Sequence, residues 1–435
     1  MLPYRPISLI IFYMIKPKKI KLKNGLRVIL VPQPGSLATT VMVSVQAGSK
    51  YETKDQSGIS HFLEHMCFKG TTKRPTPMDI SAELDGLGAQ SNAFTSQEYT
   101  AYYAKAKNEN FSEIMDVVAD MYLDPIFDSN EIEKEKGVII QELNMYKDTP
   151  PRRVAELFMN LVYGDQPAGW DIVGREEVIK KINRNDFIKY RSRHYVPQAT
   201  IVTISGGFKN KNLMKDIEKY FSVLKPGPKS KKLKVKEIQS KPQELVSFKE
   251  SDQTHLVMGF RAFGIHDDRR LALNVAAEVL GGGMSSRLFK KIRDELGAAY
   301  YVRSEADLYS DHGLFTMSAG VDHTKIDAVI KAGLEEFKNL RDELVSEKEL
   351  KKVKEHLIGN LFLSLETSDE LGGFYTSQEL MGLKLTSPEE ISRKVNAITP
   401  TDVRNVVRAI VKNSRLNLAI IGPFKKRSFR DILKV

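Results

Sequence analysis

SNEIEKEKGVIIQELNM at 129–145 and EKELKKVKEHLIGNLFL at 347–363 are two versions of one segment. Glu131 falls on Glu349 and Lys136 on Lys354 at a constant offset of 218 residues. Both carry apolar residues at helical spacing, such as Val138, Ile139 and Leu143 in the first copy. The match continues in order along the chain. REEVIKKIN (175–183) answers PEEISRKVN (388–396), and ATIVTISGGF (199–208) answers LNLAIIGPF (416–424). Each of the last two reads as a buried strand ending in a glycine turn. Three matches in one order mark a duplication.

Between the copies, KPGPKSKKLKVKEIQSKP (225–242) is rich in Lys, Pro and Gly and poor in large apolar residues, the composition of a linker. The chain therefore divides into an N-terminal extension (1–19), a first half (20–224), the linker (225–242) and a second half (243–435). Within each half the coarse order is strand, strand, helix, strands, helices and a closing strand. In the first, Asn24-Gly25 turns into a strand over 26–31, a second covers 40–45, and a helix begins near Ser57. Strands and helices mix without regular βαβ alternation, which predicts an α+β fold, each half a sheet with helices packed mainly on one face.

At 435 residues, 41% hydrophobic and 28% charged, the chain is too long for one compact core and is neither disordered nor collagen-like. Its one cysteine, Cys67, excludes a disulfide framework and any Cys-rich metal site. It is compatible with a reducing compartment, so a cytoplasmic location is expected, with export as the alternative. The 66 basic and 55 acidic residues leave a net +11, concentrated at Lys16–Lys23, Lys225–Lys236 and Lys425–Arg430. No nucleic-acid recognition motif accompanies this charge, which reads as solvated surface plus a charged linker, with no nucleic-acid partner. Leu9–Ile15 is seven apolar residues, far short of the roughly 20 that span a membrane. It lacks a cleavage site and its basic cluster follows it, so no stable membrane insertion is expected. Residues 1–13 read as an over-called start, with Met14 as the initiator.

The chemistry gathers in HFLEHMCFKG (61–70). His61 and His65 stand four apart, so both rings leave one helical face a turn apart and two imidazole nitrogens reach one metal ion. Glu64 lies on the same side, placed to take a proton from a water that the metal activates. This HxxEH pattern is the inverted zinc-peptidase signature, and chance produces it on the order of once in a hundred chains with this many histidines. A catalytic zinc needs a third protein ligand, and the carboxylates of the 129–145 helix, Glu142 and Glu135, are the candidates. Cys67 lies about 200° around the helix from His65 and reads as core. His194, His255, His266, His312, His323 and His356 form no spaced cluster.

HFLEHMCFKG followed at this distance by EKEKGVIIQELNM resembles the pitrilysin and mitochondrial-processing-peptidase family, the inverzincins. The resemblance runs from about residue 20 over essentially the whole chain. It takes in GLRVILVPQ (25–33), GAQSNAFTSQEYTAYY (88–103) and GGGMSSRLFKKIRDELGAAYYV (281–302). One pair of repeats, rather than two in tandem, is similar to the short subfamily that works as dimers. The fold so implied is a mixed, mostly antiparallel sheet in each half, the two closing like a clamshell around unfolded peptides.

Position by position, the resemblance puts one Zn²⁺ per chain on His61, His65 and Glu142, the general base on Glu64, and a supporting acid on Glu135. Asn92 and Ala93 match an edge strand that pairs with extended peptide. Arg293 and Tyr300 match a pair that holds substrate and stabilises the tetrahedral oxyanion. In the second half Asn360 stands in place of Glu142 and Val353 in place of Glu135, which makes that half non-catalytic. The implied protein is a zinc endopeptidase acting on unfolded peptides or presequences. It is expected as a homodimer, or a heterodimer with an inactive paralogue, whose sites combine His61, Glu64, His65 and Glu142 of one subunit with Arg293 and Tyr300 of the other. A processing peptidase for one precursor, and a structural partner without catalysis, are the rival readings.

Overall fold

The computed structural model describes residues 16–209 and 212–435. The apolar run Leu9–Ile15 and the question of where translation starts lie outside these residues. The first half contains β1 (Lys18–Lys21), β2 (Arg27–Pro32), β3 (Ala38–Val45), α1 (Ile59–Met66), α2 (Pro77–Gly86), β4 (Gln90–Thr95) and β5 (Thr100–Lys107). It continues through α3 (Phe111–Leu123), α4 (Ser129–Lys147), α5 (Pro150–Tyr163), α6 (Glu176–Ile179), α7 (Arg184–His194), β6 (Thr200–Gly206) and α8 (Leu213–Phe221). The second half runs β7 (Gln243–Phe248), β8 (Thr254–Ala262), α9 (Arg270–Gly281), a π-helical stretch Phe289–Glu295, β9 (Ala299–Leu308) and β10 (Gly313–Val321). Then come α10 (Ile326–Asp342), α11 (Glu347–Leu363), α12 (Ser368–Leu380), α13 (Pro388–Asn396), α14 (Pro400–Ile410) and β11 (Leu416–Gly422).

The two sheets repeat one topology. The first is ordered β1-β2-β6-β3-β5-β4 and the second β7-β11-β8-β10-β9. In each, one parallel pair (β2 with β6, β7 with β11) adjoins a run of antiparallel pairings. The duplication read at a fixed offset is thus a duplication of fold, and β1, paired to β2 from Lys18 onward, is an addition to the first copy. Matching strands β4 and β9 form an outer edge of each sheet.

Alternation along the strands drives one face of each sheet into a core. In the first half Val28, Val41, Val43, Tyr102, Val202 and Ile204 pack beneath α1, α3, α7 and α8. Cys67 is fully buried there. On α4 the inward positions are Ile132, Glu135, Ile139 and Leu143, whereas Val138 faces outward at 50% exposure.

The opposite sheet faces are covered by exchange, which the sequence does not announce. Helix α5 of the first half lays Val154, Phe158 and Val162 on Val257, Leu314, Ala419 and Ile421 of the second sheet. Helix α12 of the second half lays Leu371, Tyr375 and Leu380 on Ile29, Val31 and Ile201 of the first. Each such side chain contributes about 1.5–3 kcal/mol on burial, so the exchange binds the halves firmly.

An ion cluster sits at the junction. Lys50, buried, donates to Glu98 and to Asp311 of the second half, 2.9 Å each, and Lys232 reaches Asp311 at 2.6 Å. Residues 225–242 hold no helix or strand, but Lys232 corrects the picture of a wholly solvated charge run. The glycines at 281–283, whose clustering suggests a hinge, open with a packing glycine: a Cβ on Gly281 would stand 2.4 Å from the Ser304 backbone nitrogen. Among the described residues, no helix is long and apolar enough to cross a membrane.

Candidate metal centre

Helix α1 is only eight residues long, so its placement comes from its surroundings. Ile59, Phe62, Leu63 and Met66 point into the core, where Phe62 meets the edge of Phe187 at 4.9 Å between ring centroids. The chain enters at Gly58 with φ +95°, and a Cβ there would lie 2.4 Å from the Val173 carbonyl oxygen, so only glycine suits the position. The buried Glu52 carboxylate accepts the Gly58 and Ser60 N–H groups at 2.7 and 2.8 Å. Burial pushes Glu52 up to about 7 against the pull of those two bonds.

The other face of α1 carries His61, Glu64 and His65 toward α4. Nε2 of His61 and Nε2 of His65 are 3.3 Å apart, and Oε2 of Glu142 lies 3.6 and 3.7 Å from them. A tetrahedral zinc with ligands at about 2.0–2.1 Å spaces its donors about 3.3–3.4 Å apart. The three atoms fit that triangle to within a few tenths of an ångström. Among the described residues this is the one group of three metal-capable side chains. Burial, then the neighbouring His65, pulls His61 down to about 4, against the opposing pull of Glu142, so its lone pair stays free near neutral pH.

A ring of partners fixes these side chains. Glu135 accepts from Nδ1 of His65 at 2.8 Å, which turns Nε2 toward the metal position, and Lys69 donates to the other oxygen at 2.7 Å. Burial raises the Glu135 pKa, but the His65 and Lys69 hydrogen bonds outweigh it and hold the group below the usual range. Tyr146, one turn beyond Glu142, donates its hydroxyl to that carboxylate, and the Arg152 guanidinium lies over its ring, 3.1 Å from the centroid. Thr95 donates to Glu64 at 2.5 Å. Burial raises Glu64, and the Thr95 bond pulls the other way.

Thr95 closes β4, the exposed edge strand that also carries Asn92 and Ala93. The Asn92 side chain accepts the Ala93 N–H at 2.8 Å. Arg293 and Tyr300 are both exposed, Tyr300 at 73%. Arg293 donates to the Tyr300 carbonyl at 2.7 Å, and no hydrogen bond or ion pair among the described residues joins either to His61, Glu64, His65 or Glu142 of the same chain.

In the second half, α9 and α11 stand where α1 and α4 stand in the first. There Glu278 accepts from His356, and the Asn360 amide lies 3.4 Å from the same ring. Sequence reasoning overlooked Glu52, Thr95, Lys69 and Tyr146. Of these only Tyr146, four residues from Glu142, carried a readable signal.

Residues 27–175 match the family described as Insulinase (Peptidase family M16), and residues 181–357 match the Peptidase M16 inactive domain. An uncharacterised zinc protease of Rickettsia felis is 36% identical, with 94% of this chain and 98% of that protein covered. The uncharacterised zinc protease YmxG of Bacillus subtilis is 34% identical over 93% of this chain and 98% of its own length. A crystal structure of a protease from Helicobacter pylori shares the fold with a TM-score of 0.87 at 23% identity, covering 94% of this chain and all of that one. Likeness of this extent to zinc proteases, along nearly the full length, means that the chain belongs to peptidase family M16 and is a zinc metalloprotease.

Proposed function

We propose that this protease is an endopeptidase for unfolded peptides or presequences, taken as extended strands into a clamshell chamber. The observation that carries the reading is the convergence of His61, His65 and Glu142 beside Glu64, next to the free edge of β4. His61, His65 and Glu142 would hold one Zn²⁺ per chain, which would supply Lewis acidity for a water and for the scissile carbonyl. Glu64 takes the proton of the attacking water and passes it to the leaving amine; the burial that raises its pKa suits it to both transfers. Backbone groups of β4 around Asn92 and Ala93 hold the peptide by strand addition, with few demands on its side chains.

In this reading residues 20–224 supply the metal centre and 243–435 supply Arg293 and Tyr300 to the site of a partner subunit. The exposure of both, and the lack of a hydrogen bond or ion pair from either to the metal-binding side chains of their own chain, supports that division. The working unit is a homodimer in the cytoplasm, acting on peptide and not on nucleic acid or membrane.

Zinc content and cleavage of a quenched fluorescent peptide library, wild type beside Glu64→Gln, with and without chelator, form the test. The expected result is one zinc per chain in both proteins and turnover only in untreated wild type. A wild-type protein that binds no zinc overturns the reading. Zinc without cleavage of any peptide assigns the chain to a partnered or structural role.

A further inference from the structure

The two histidines of the metal centre are held differently. His65 is turned by Glu135, whereas Nδ1 of His61 is buried and has no hydrogen-bond partner. Apart from His65 and Glu142 at the metal position itself, nothing bonded to its ring aims His61, so its orientation follows from the backbone of the turn that carries it. That turn is the first of an eight-residue helix whose N-cap residue, Gly58, has no side chain to cap it. The cap comes from outside the helix. Glu52, 3% exposed, spends both carboxylate oxygens on it, Oε2 on the Gly58 N–H and Oε1 on the Ser60 N–H, the residue before His61. The Ser60 hydroxyl is in turn 2.7 Å from the Tyr190 hydroxyl on α7.

We infer that Glu52 is a positioning residue of the metal centre: by gripping the Gly58 and Ser60 amides it sets the turn from which His61 projects. The inference rests on the zinc-site reading above and adds a residue to it. A two-point grip fixes both the height and the rotation of the turn, which a single hydrogen bond does not. Donor spacing in a tetrahedral site tolerates only tenths of an ångström, so a loosened turn is felt first as weaker metal binding.

The test uses the full chain and zinc alone as the probe, in competition with a chromogenic chelator. Glu52→Gln keeps the shape but turns an NH2 group toward one amide, and its zinc affinity is expected to fall about 10–100-fold. Cleavage at saturating zinc, and KM for peptide, should stay within a few-fold of wild type, because Glu64 and β4 are untouched. Glu52→Asp, with its shorter reach, should fall between. Folded Glu52→Gln with wild-type zinc affinity overturns the inference, even if its melting temperature drops, since a merely structural residue would behave that way. Hydrogen exchange on wild-type protein covers the case in which the variants do not fold: the Gly58 and Ser60 amides should exchange as slowly as core amides, and fast exchange overturns the inference. Wild type without zinc removes the metal-site reading itself, a different outcome from zinc binding that Glu52→Gln leaves unchanged.

Discussion

Replacing Glu135 should separate metal binding from chemistry. The Glu135 carboxylate is 4% exposed and accepts two charge-assisted or imidazole bonds, from His65 at 2.8 Å and Lys69 at 2.7 Å. Glu135→Gln preserves volume and leaves one oxygen for the imidazole, so a bond worth about 1.5–3 kcal/mol becomes one worth about 0.5–1.5 kcal/mol. The difference, roughly 1–1.5 kcal/mol, corresponds to about tenfold in zinc affinity. Glu135→Ala removes both bonds and leaves the Lys69 ammonium without a partner, so zinc affinity should fall by about a hundredfold and stability by a further 1–3 kcal/mol. Chelator competition gives the affinities, and peptide cleavage titrated with zinc gives the activity. Activity should return to within a few-fold of wild type at saturating zinc, because the Glu64–Thr95 contact lies elsewhere. Two results would refute the reasoning: unchanged zinc affinity in both variants, or lost turnover in Glu135→Gln that no zinc concentration restores.

Thr95→Val removes the donor that pulls the Glu64 pKa down, so the acid limb of kcat/KM against pH should move up. Burial, with Arg193 adding to it, holds His194 down at about 4 against 6.5 when unfolded, so the native state binds fewer protons in that window. Stability is therefore lost as pH falls from 6.5 to 4, by about 3 kcal/mol in all, and His194→Gln should flatten that slope in denaturant melts at pH 7, 5.5 and 4. Phe158→Ala opens a cavity where α5 meets the second sheet and should cost about 3–5 kcal/mol in urea unfolding; a cost below about 1 kcal/mol would mean that the exchanged helix packs loosely.

Features written in local spacing were legible in the sequence. The constant offset between α4 and α11 exposed the duplication, because surface charges such as Glu131 and Glu349 kept their helical positions in both copies. His61, Glu64 and His65 were readable for the same reason, three residues within about one turn of one short helix. Glu142 emerged from the resemblance, and from residues alone it competed with Glu135, two turns earlier on the same helix. What stayed hidden depends on contacts distant in sequence. Thr95 reaches Glu64 from a strand 31 residues away, and Lys232 joins acids from both halves. The outward turn of Val138 shows that an apolar residue at helical spacing need not lie on the buried face.

The exchange of α5 and α12 bears on what happens if the chain is cut. A nick within 225–242 severs the connection without touching a strand or helix, yet each fragment then carries away the cover of the other's sheet. Alone, each would bare a strip of aliphatic sheet side chains together with a helix that has lost its seat. Mixed, the fragments hold every piece needed to re-form the interface. The molecule should therefore behave as a split protein, in which two separately made polypeptides are insoluble apart and become one folded enzyme when they meet.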